Sequence, residues 1–293
     1  MGQYQRLFLI AGSTLRHSPA LERATAIARA SGAALHITVF IEDTDLFGVQ
    51  GKQAVLQALA EENRQWLQDE TEQLRDSGLV VTGEIAITRT VLDEILQHIE
   101  QMRPDLVLKD VHHESALKRV FVTPLDWHLL RECAVAVHLV SEIRSPLPRV
   151  VVAAVDPSQA HAAINQQIIQ AANALAIQCD AELHLLHGFD AANTHLADFG
   201  AGAVTMPGFS NEVRRSLQQS FDHLADALGV PTQRQHFLAG SPTRVIAEFA
   251  QHHRADVIVM GNTHRHGLDR LVGSTTEQVL YQVPCNVLAV KGP

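Results

Sequence analysis

The sequence predicts an α/β protein of two tandem, doubly wound (Rossmann-like) domains, each built on a five-stranded parallel sheet. Three observations predict it. Short apolar or β-branched runs alternate with amphipathic helical stretches along the whole chain. The chain also repeats itself once. Leu35-His36-Ile37 matches Leu183-His184-Leu185 at an offset of 148, and Pro104-Asp105-Leu106-Val107-Leu108 matches Ala255-Asp256-Val257-Ile258-Val259 at 151. A period this long marks a duplicated domain and not a solenoid repeat. Finally, Gly261 closes the apolar run Val257-Ile258-Val259-Met260, and Gly273-Ser274 opens the next helical stretch. A strand, a glycine-bearing loop and a helix N-terminus in that order form the geometry that cradles phosphate.

Each element has its own signal. The apolar run 7–11 reads as a buried parallel strand. Residues 19–30 carry Ala and Leu at helical spacing, and 35–40 is a β-branched second strand. A long helix covers 51–76 and ends at Ser77-Gly78, a C-cap signal. Residues 84–87 give the third strand, 91–102 a short amphipathic helix and 106–108 the fourth strand. A loop over 110–123, a helix at 125–132 and a strand at 135–140 complete the half. The second half repeats the pattern from 150–154. Its extra segment, 190–209, carries Gly200, Gly202, Pro207 and Gly208 and reads as a loop. The boundary falls in Ser145-Pro146-Leu147-Pro148, where two prolines disfavour helix and central strand. The predicted domains are 1–144 and 145–293, each large enough to bury a core.

Composition excludes several classes. Lys and Arg number 23 against 32 Asp and Glu, a net charge of −9, so no basic footprint for nucleic acid exists. No apolar run approaches a membrane span, and residues 1–6 are too polar to open a signal peptide. Cys133, Cys179 and Cys285 are scattered, form no CxxC pair and suit a reducing compartment. A soluble cytoplasmic protein is expected. The 17 histidines cluster at His112-His113, His252-His253 and His264-x-His266. Adjacent histidines point apart, and zinc needs three or four convergent ligands. They read as solvated or helix-end residues, with His113 and His264 the weak metal candidates. Cys133 and Cys285 read as packing beside the final strands.

The loop after Gly261 has an earlier, damaged copy. Residues 110–123 align with 261–274 without a gap at an offset of 151 (261 − 110). His113 falls on His264, Leu117 on Leu268 and Arg119 on Arg270, but Asp110 replaces Gly261 and Val122 replaces Gly273. A carboxylate and a branched side chain thus occupy two places where phosphate needs bare backbone. In a doubly wound sheet ligands sit beyond the carboxyl ends of the strands, where the winding reverses. Asp156 and Gly261 both belong at that edge. The plainer readings are a tight strand-to-helix connection for the loop and a helix N-cap for Asp156, which precedes Pro157.

Ala153-Ala154-Val155-Asp156-Pro157-Ser158, the 261–274 loop and the duplication together resemble the tandem universal stress proteins of bacteria. The segment Phe121-Val122-Thr123-Pro124-Leu125-Asp126-Trp127 with Leu129-Leu130-Arg131-Glu132-Cys133 adds to the likeness, which covers essentially the whole chain. That family's ATP pattern is Gly, two residues, Gly, nine residues, Gly, then Ser or Thr. Here His264 stands at the second glycine, and eight residues separate it from Gly273. The resemblance implies ATP or a related adenine nucleotide, with or without Mg, in the C-terminal domain. Asp156 would lie near the ribose or adenine, and Val155 and His187 would line the adenine. Gly261 with Met260, Asn262 and His264 would pass under the ribose and first phosphate. Gly273, Ser274 and Thr275 would hold the outer phosphates, and Ser158 counts among the nucleotide-binding residues. The equivalent N-terminal pocket, Ser13, Asp110, His113, Val122 and Thr123, is degenerate, since Ser13 stands where Asp156 does.

The implied function is a non-catalytic nucleotide-binding protein of the stress response. The sequence holds no His-x-Gly-His, no Ser-Gly-Gly-x-Asp-Ser and no Walker lysine, so at most weak ATP hydrolysis is expected. The alternatives are a slow ATPase, or a carrier or sensor of an apolar or non-nucleotide ligand in the N-terminal domain. The resemblance further implies pairing of domains through their last strands. In this chain residues 135–140 and 287–290 can satisfy that contact internally, and a homodimer of tandems stays open.

Overall fold

The computed structural model describes residues 4–12, 17–43, 52–114, 119–121, 124–190, 209–262 and 274–292. The first half runs β1 (Arg6–Ala11), α1 (Pro19–Ser31), β2 (Ala34–Glu42), α2 (Lys52–Asp76), β3 (Val81–Thr88), α3 (Val91–Met102), β4 (Leu106–Asp110), β5 (His112–Glu114), β6 (Arg119–Phe121), α4 (Pro124–Glu132) and β7 (Val137–Val140). The second runs β8 (Val150–Ala154), α5 (Ala162–Cys179), β9 (Glu182–Phe189), α6 (Phe209–Ala227), β10 (Gln235–Ala239), α7 (Pro242–His252), β11 (Val257–Asn262), α8 (Ser274–Gln282) and β12 (Asn286–Lys291).

Ten strands make one sheet, in the order β10-β9-β8-β11-β12-β7-β4-β1-β2-β3. Each half contributes five parallel strands, and the halves meet where β7 and β12 pair antiparallel. The final strands therefore pair within the chain, as the resemblance implies. Alternate strand residues feed two cores. Leu7 and Leu9 face α1, α2, α5 and α6, whereas Phe8 and Ile10 face α3, α4, α7 and α8. Among the described residues no helix is long and apolar enough to cross a membrane.

Local chemistry sets the element ends. Ser18 Oγ accepts from Leu21 N–H at 3.1 Å and Pro19 takes the first turn of α1, while Gly32 ends the helix at φ 71°. The repeated Asp105 and Asp256 have matching tasks. Asp105 Oδ2 accepts from the N–H groups of Gln5 and Arg6 at 2.7 and 2.8 Å, and Asp256 Oδ2 from those of Arg149 and Val150 at 2.8 and 3.1 Å. Each carboxylate thus holds the entry to its half's first strand. One element differs from expectation. Part of the stretch read as a loop after β4 forms the antiparallel pair β5–β6, with His113 opposite Val120. Arg119-Val120-Phe121 has the β-branched and aromatic content that a strand favours.

Candidate functional site

In the second half the winding reverses between β8 and β11, which lie side by side with β9 on the far flank of β8. Their carboxyl ends bring together Val155, Asp156, His187 and Gly261. Val155 N–H donates to Leu186 O at 3.0 Å, and His187 Nδ1 lies 2.9 Å from Val155 O. That contact requires His187 Nδ1 to carry the proton, which leaves Nε2 as the acceptor. Burial pushes the His187 pKa below its ordinary value, so the ring is neutral at pH 7. Its ring lies 5.0 Å from that of Phe237.

Asp156 is held but not covered. Its side chain is 49% exposed, with Oδ2 3.1 Å from His161 Nδ1. Oδ1 accepts from Ser158 N–H at 3.1 Å, so it closes a turn before the helix and does not cap α5 itself. Ser158 Oγ is 2.8 Å from His161 Nδ1. Asn165 grips the backbone on both sides of Asp156. Its Oδ1 accepts from Asp156 N–H at 3.1 Å, and its Nδ2 donates to Asp156 O. The result is a fixed carboxylate that still faces solvent.

The β11 end carries structural tasks beside the expected ones. The sequence reading gave Gly261 to close approach of a ligand. A Cβ there would lie 2.4 Å from Ile164 Cγ1, so the glycine admits α5 against β11. Met260 is buried in the core shared with α7 and α8. Asn262 is 1% exposed and its Nδ2 donates to Leu130 O in the first half, so its side chain serves the contact between halves. Thr275 is half-buried in the first turn of α8. Thr276 Oγ1 donates to Gly261 O at 3.0 Å and ties the start of α8 to the end of β11. His264, Gly273 and the side chain of Ser274 lie outside the described residues.

The first half handles the same place differently. Asp110 is buried, and its Oδ1 accepts from Ala20 N–H at 2.8 Å, in the first turn of α1. Lys109 Nζ donates to Asp110 O at 3.1 Å and pairs with the fully buried Asp126 of α4 at 2.6 Å. Ser13, Val122, Thr123 and the His113 side chain lie outside the described residues.

Sequence reasoning missed Asn165, His161 and Thr276. Asn165 left one usable signal, a polar residue beside Ile164 and Ile168 on the buried face of α5. The other two left none, because Ser, Thr and His near helix starts are commonplace. Among the described residues no three His, Cys, Asp or Glu side chains are grouped to hold a metal ion. The arrangement sets a fixed acid, a neutral imidazole and a tethered helix N-terminus at the carboxyl ends of β8, β9 and β11.

The universal stress protein family model matches residues 3–141 and 148–291. Universal stress protein E of Escherichia coli strain K12 is 25% identical, over 99% of this chain and 95% of its own length. A homolog of that protein from Haemophilus influenzae is 26% identical over 85% of this chain and 82% of its own. Among solved structures, a functionally unknown protein from Pseudomonas aeruginosa PAO1 superposes with a TM-score of 0.74 at 24% identity, covering 99% of this chain and 93% of that one. A universal stress protein from Archaeoglobus fulgidus DSM 4304 gives 0.70 at 17% identity, covering 99% of both chains. At these identities the two structures speak for the fold alone.

Proposed function

The chain belongs to the universal stress protein family in two copies, and from that premise we propose that its C-terminal half binds ATP or a related adenine nucleotide. It does so as a non-catalytic component of the stress response. The observation that carries this reading is the tethered start of α8. Thr276 Oγ1 fixes it to Gly261 O at 3.0 Å, at the switch point that also presents the half-exposed Asp156. Free N–H groups at a helix start attract phosphate. The neutral His187 and Val155 make a wall of mixed polarity suited to a purine, and Asp156 suits a ribose hydroxyl.

The N-terminal half is proposed not to bind nucleotide in this manner. The Asp110 carboxyl group already occupies the matching strand end, bound to Ala20 N–H. Calorimetric titration with ATP, with and without Mg, together with a thermal shift, tests both statements. Saturation at a hundred times the dissociation constant should stabilise the protein by about 2.7 kcal/mol. Gly273→Val copies Val122 of the first half and should weaken ATP about a hundredfold, equivalent to about 2.7 kcal/mol. No heat and no shift at millimolar ATP, or undiminished binding by Gly273→Val, overturns the reading.

A further inference from the structure

The seam between the halves holds a buried cation with no counter-charge in contact. Arg23 of α1 is 0% exposed, and among the described residues its Nε, Nη1 and Nη2 have no hydrogen-bond partner. His138 of β7 is also 0% exposed, and neither ring nitrogen has a partner. The two are electrostatic neighbours on the face that α1 and α5 cover.

This spot is the centre of the molecule's internal symmetry. His138 pairs with Leu108 on one side and Leu288 on the other, and Leu288 pairs with Val259. Leu108 and Val259 are repeat equivalents, so His138 lies opposite its own counterpart, Leu288. Arg23 corresponds to Ala171 at the offset of 148 (171 − 23) that relates the helix ends Gly32 and Asp180. The second half places Leu and Ala where the first places His and Arg. The polar pair is therefore a local insertion into an otherwise apolar dyad, whose core on this face includes Val140, Leu288, Val290, Ala172 and Leu175.

Among the described residues no acid pairs directly with Arg23. Asp256 acts on it only through space, while its Oδ2 accepts from Arg149 N–H and Val150 N–H. Burial pushes the Cys179 thiol up to about 12, so it carries no charge at pH 7. Glu22 lies on the exposed face of α1. A guanidinium cannot shed its proton under ordinary conditions, and a buried charge without compensation is strongly unfavourable. The neutral imidazole beside it can add one N–H donor.

We propose that Arg23 and His138 form a binding site for a small inorganic anion of chloride size at the centre of the seam. Arg23 supplies the charge and a forked donor set, and His138 supplies one further N–H. Both side chains are fully enclosed, so the proposal is confined to a small ion. Because α1, α5, β7 and β12 meet here, the ion would help hold the two halves together.

The test uses the full chain, freed of halide by dialysis into gluconate. Its melting point is followed as chloride replaces gluconate at constant ionic strength. A saturable rise is expected, together with a bromide anomalous peak between Arg23 and His138 in crystals grown in bromide. Arg23→Met, which removes the charge at similar length, should melt at a temperature independent of chloride. His138→Leu keeps the charge and should weaken the chloride midpoint about tenfold; this variant also serves if Arg23→Met does not fold. Equal melting in the two anions, an unchanged chloride response in Arg23→Met or His138→Leu, or density for water alone at the site would each overturn the proposal.

Discussion

The two halves share a strand order but close the end of the fourth strand in opposite ways. In the first, Asp110 extends a carboxylate to Ala20 N–H in the first turn of α1, a helix of 13 residues. In the second, Gly261 offers no side chain, and Ile164 of α5, a helix of 18 residues, fills the space. The longer helix and the glycine belong together, as do the shorter helix and the acid. The difference shows that loss of a glycine-loop signature need not be decay. In the first half the replacing residue has a structural task, a carboxyl group bound to the start of α1 at the strand end that its sister half fills with an isoleucine from α5.

Exchanging residues between the halves should break this pairing. The largest effect is expected from Gly261→Asp. It drives a carboxylate against the Ile164 and Ile168 side chains, which already meet a Cβ placed at this position. A loss of about 3–5 kcal/mol in urea unfolding is expected. A loss below about 1 kcal/mol would mean that the glycine is not a packing requirement.

The next comparison is His138 against Leu288. Burial, with Arg23 beside it, lowers the His138 pKa to about 3 in the folded protein. In the unfolded chain it returns to about 6.5. The unfolded state then binds the extra proton at mildly acid pH. Stability is therefore fully present above about pH 6.5 and is lost progressively as pH falls towards 3. Near pH 5 this one residue should account for about 2 kcal/mol. Equilibrium unfolding from pH 7.5 to 5 in chloride-free buffer should show that slope, and His138→Leu should flatten it. An unchanged slope in the variant would assign it to other groups.

Asp110→Ala sharpens the contrast from the other side. It strips the carboxylate from Ala20 N–H and should cost about 1–2 kcal/mol, the usual worth of a helix cap. Hydrogen exchange should speed up in the first turn of α1. Protection there equal to wild type would remove the capping role. The smallest effect is expected from Thr276→Val, which deletes the hydroxyl that holds α8 to Gly261 O and should cost about 1 kcal/mol of stability. ATP affinity should fall by a smaller factor than in Gly273→Val. An equal fall in both would place the binding energy in the tether and not in the glycine backbone.

Much of the fold was legible because its signals are local. Apolar runs such as 7–11 and 150–154, and the repeated Pro104-Asp105 and Ala255-Asp256 strand starts, report strands that are buried on both faces wherever they lie. The place of Asp156 and Val155 just beyond a strand end was legible too, since both follow the apolar run 150–154. What stayed hidden depends on distant partners. Asp110 meets a helix start 90 residues away, and Asn262 meets a carbonyl 132 residues away in the other half. Arg23 is the clearest case. On α1 alone it reads as a surface charge, and only α5 of the other half turns that stripe into interior.

The β7–β12 pairing has a consequence for dosage. The same antiparallel contact between separate chains would loosen on dilution, and the partners could be exchanged. Within one chain each half meets the other at an effective concentration on the order of millimolar, whatever the cellular amount. The two unlike strand ends are thereby delivered at a stoichiometry of one to one. A cell that makes this protein cannot raise one half without the other, and no assembly step separates synthesis from the paired form.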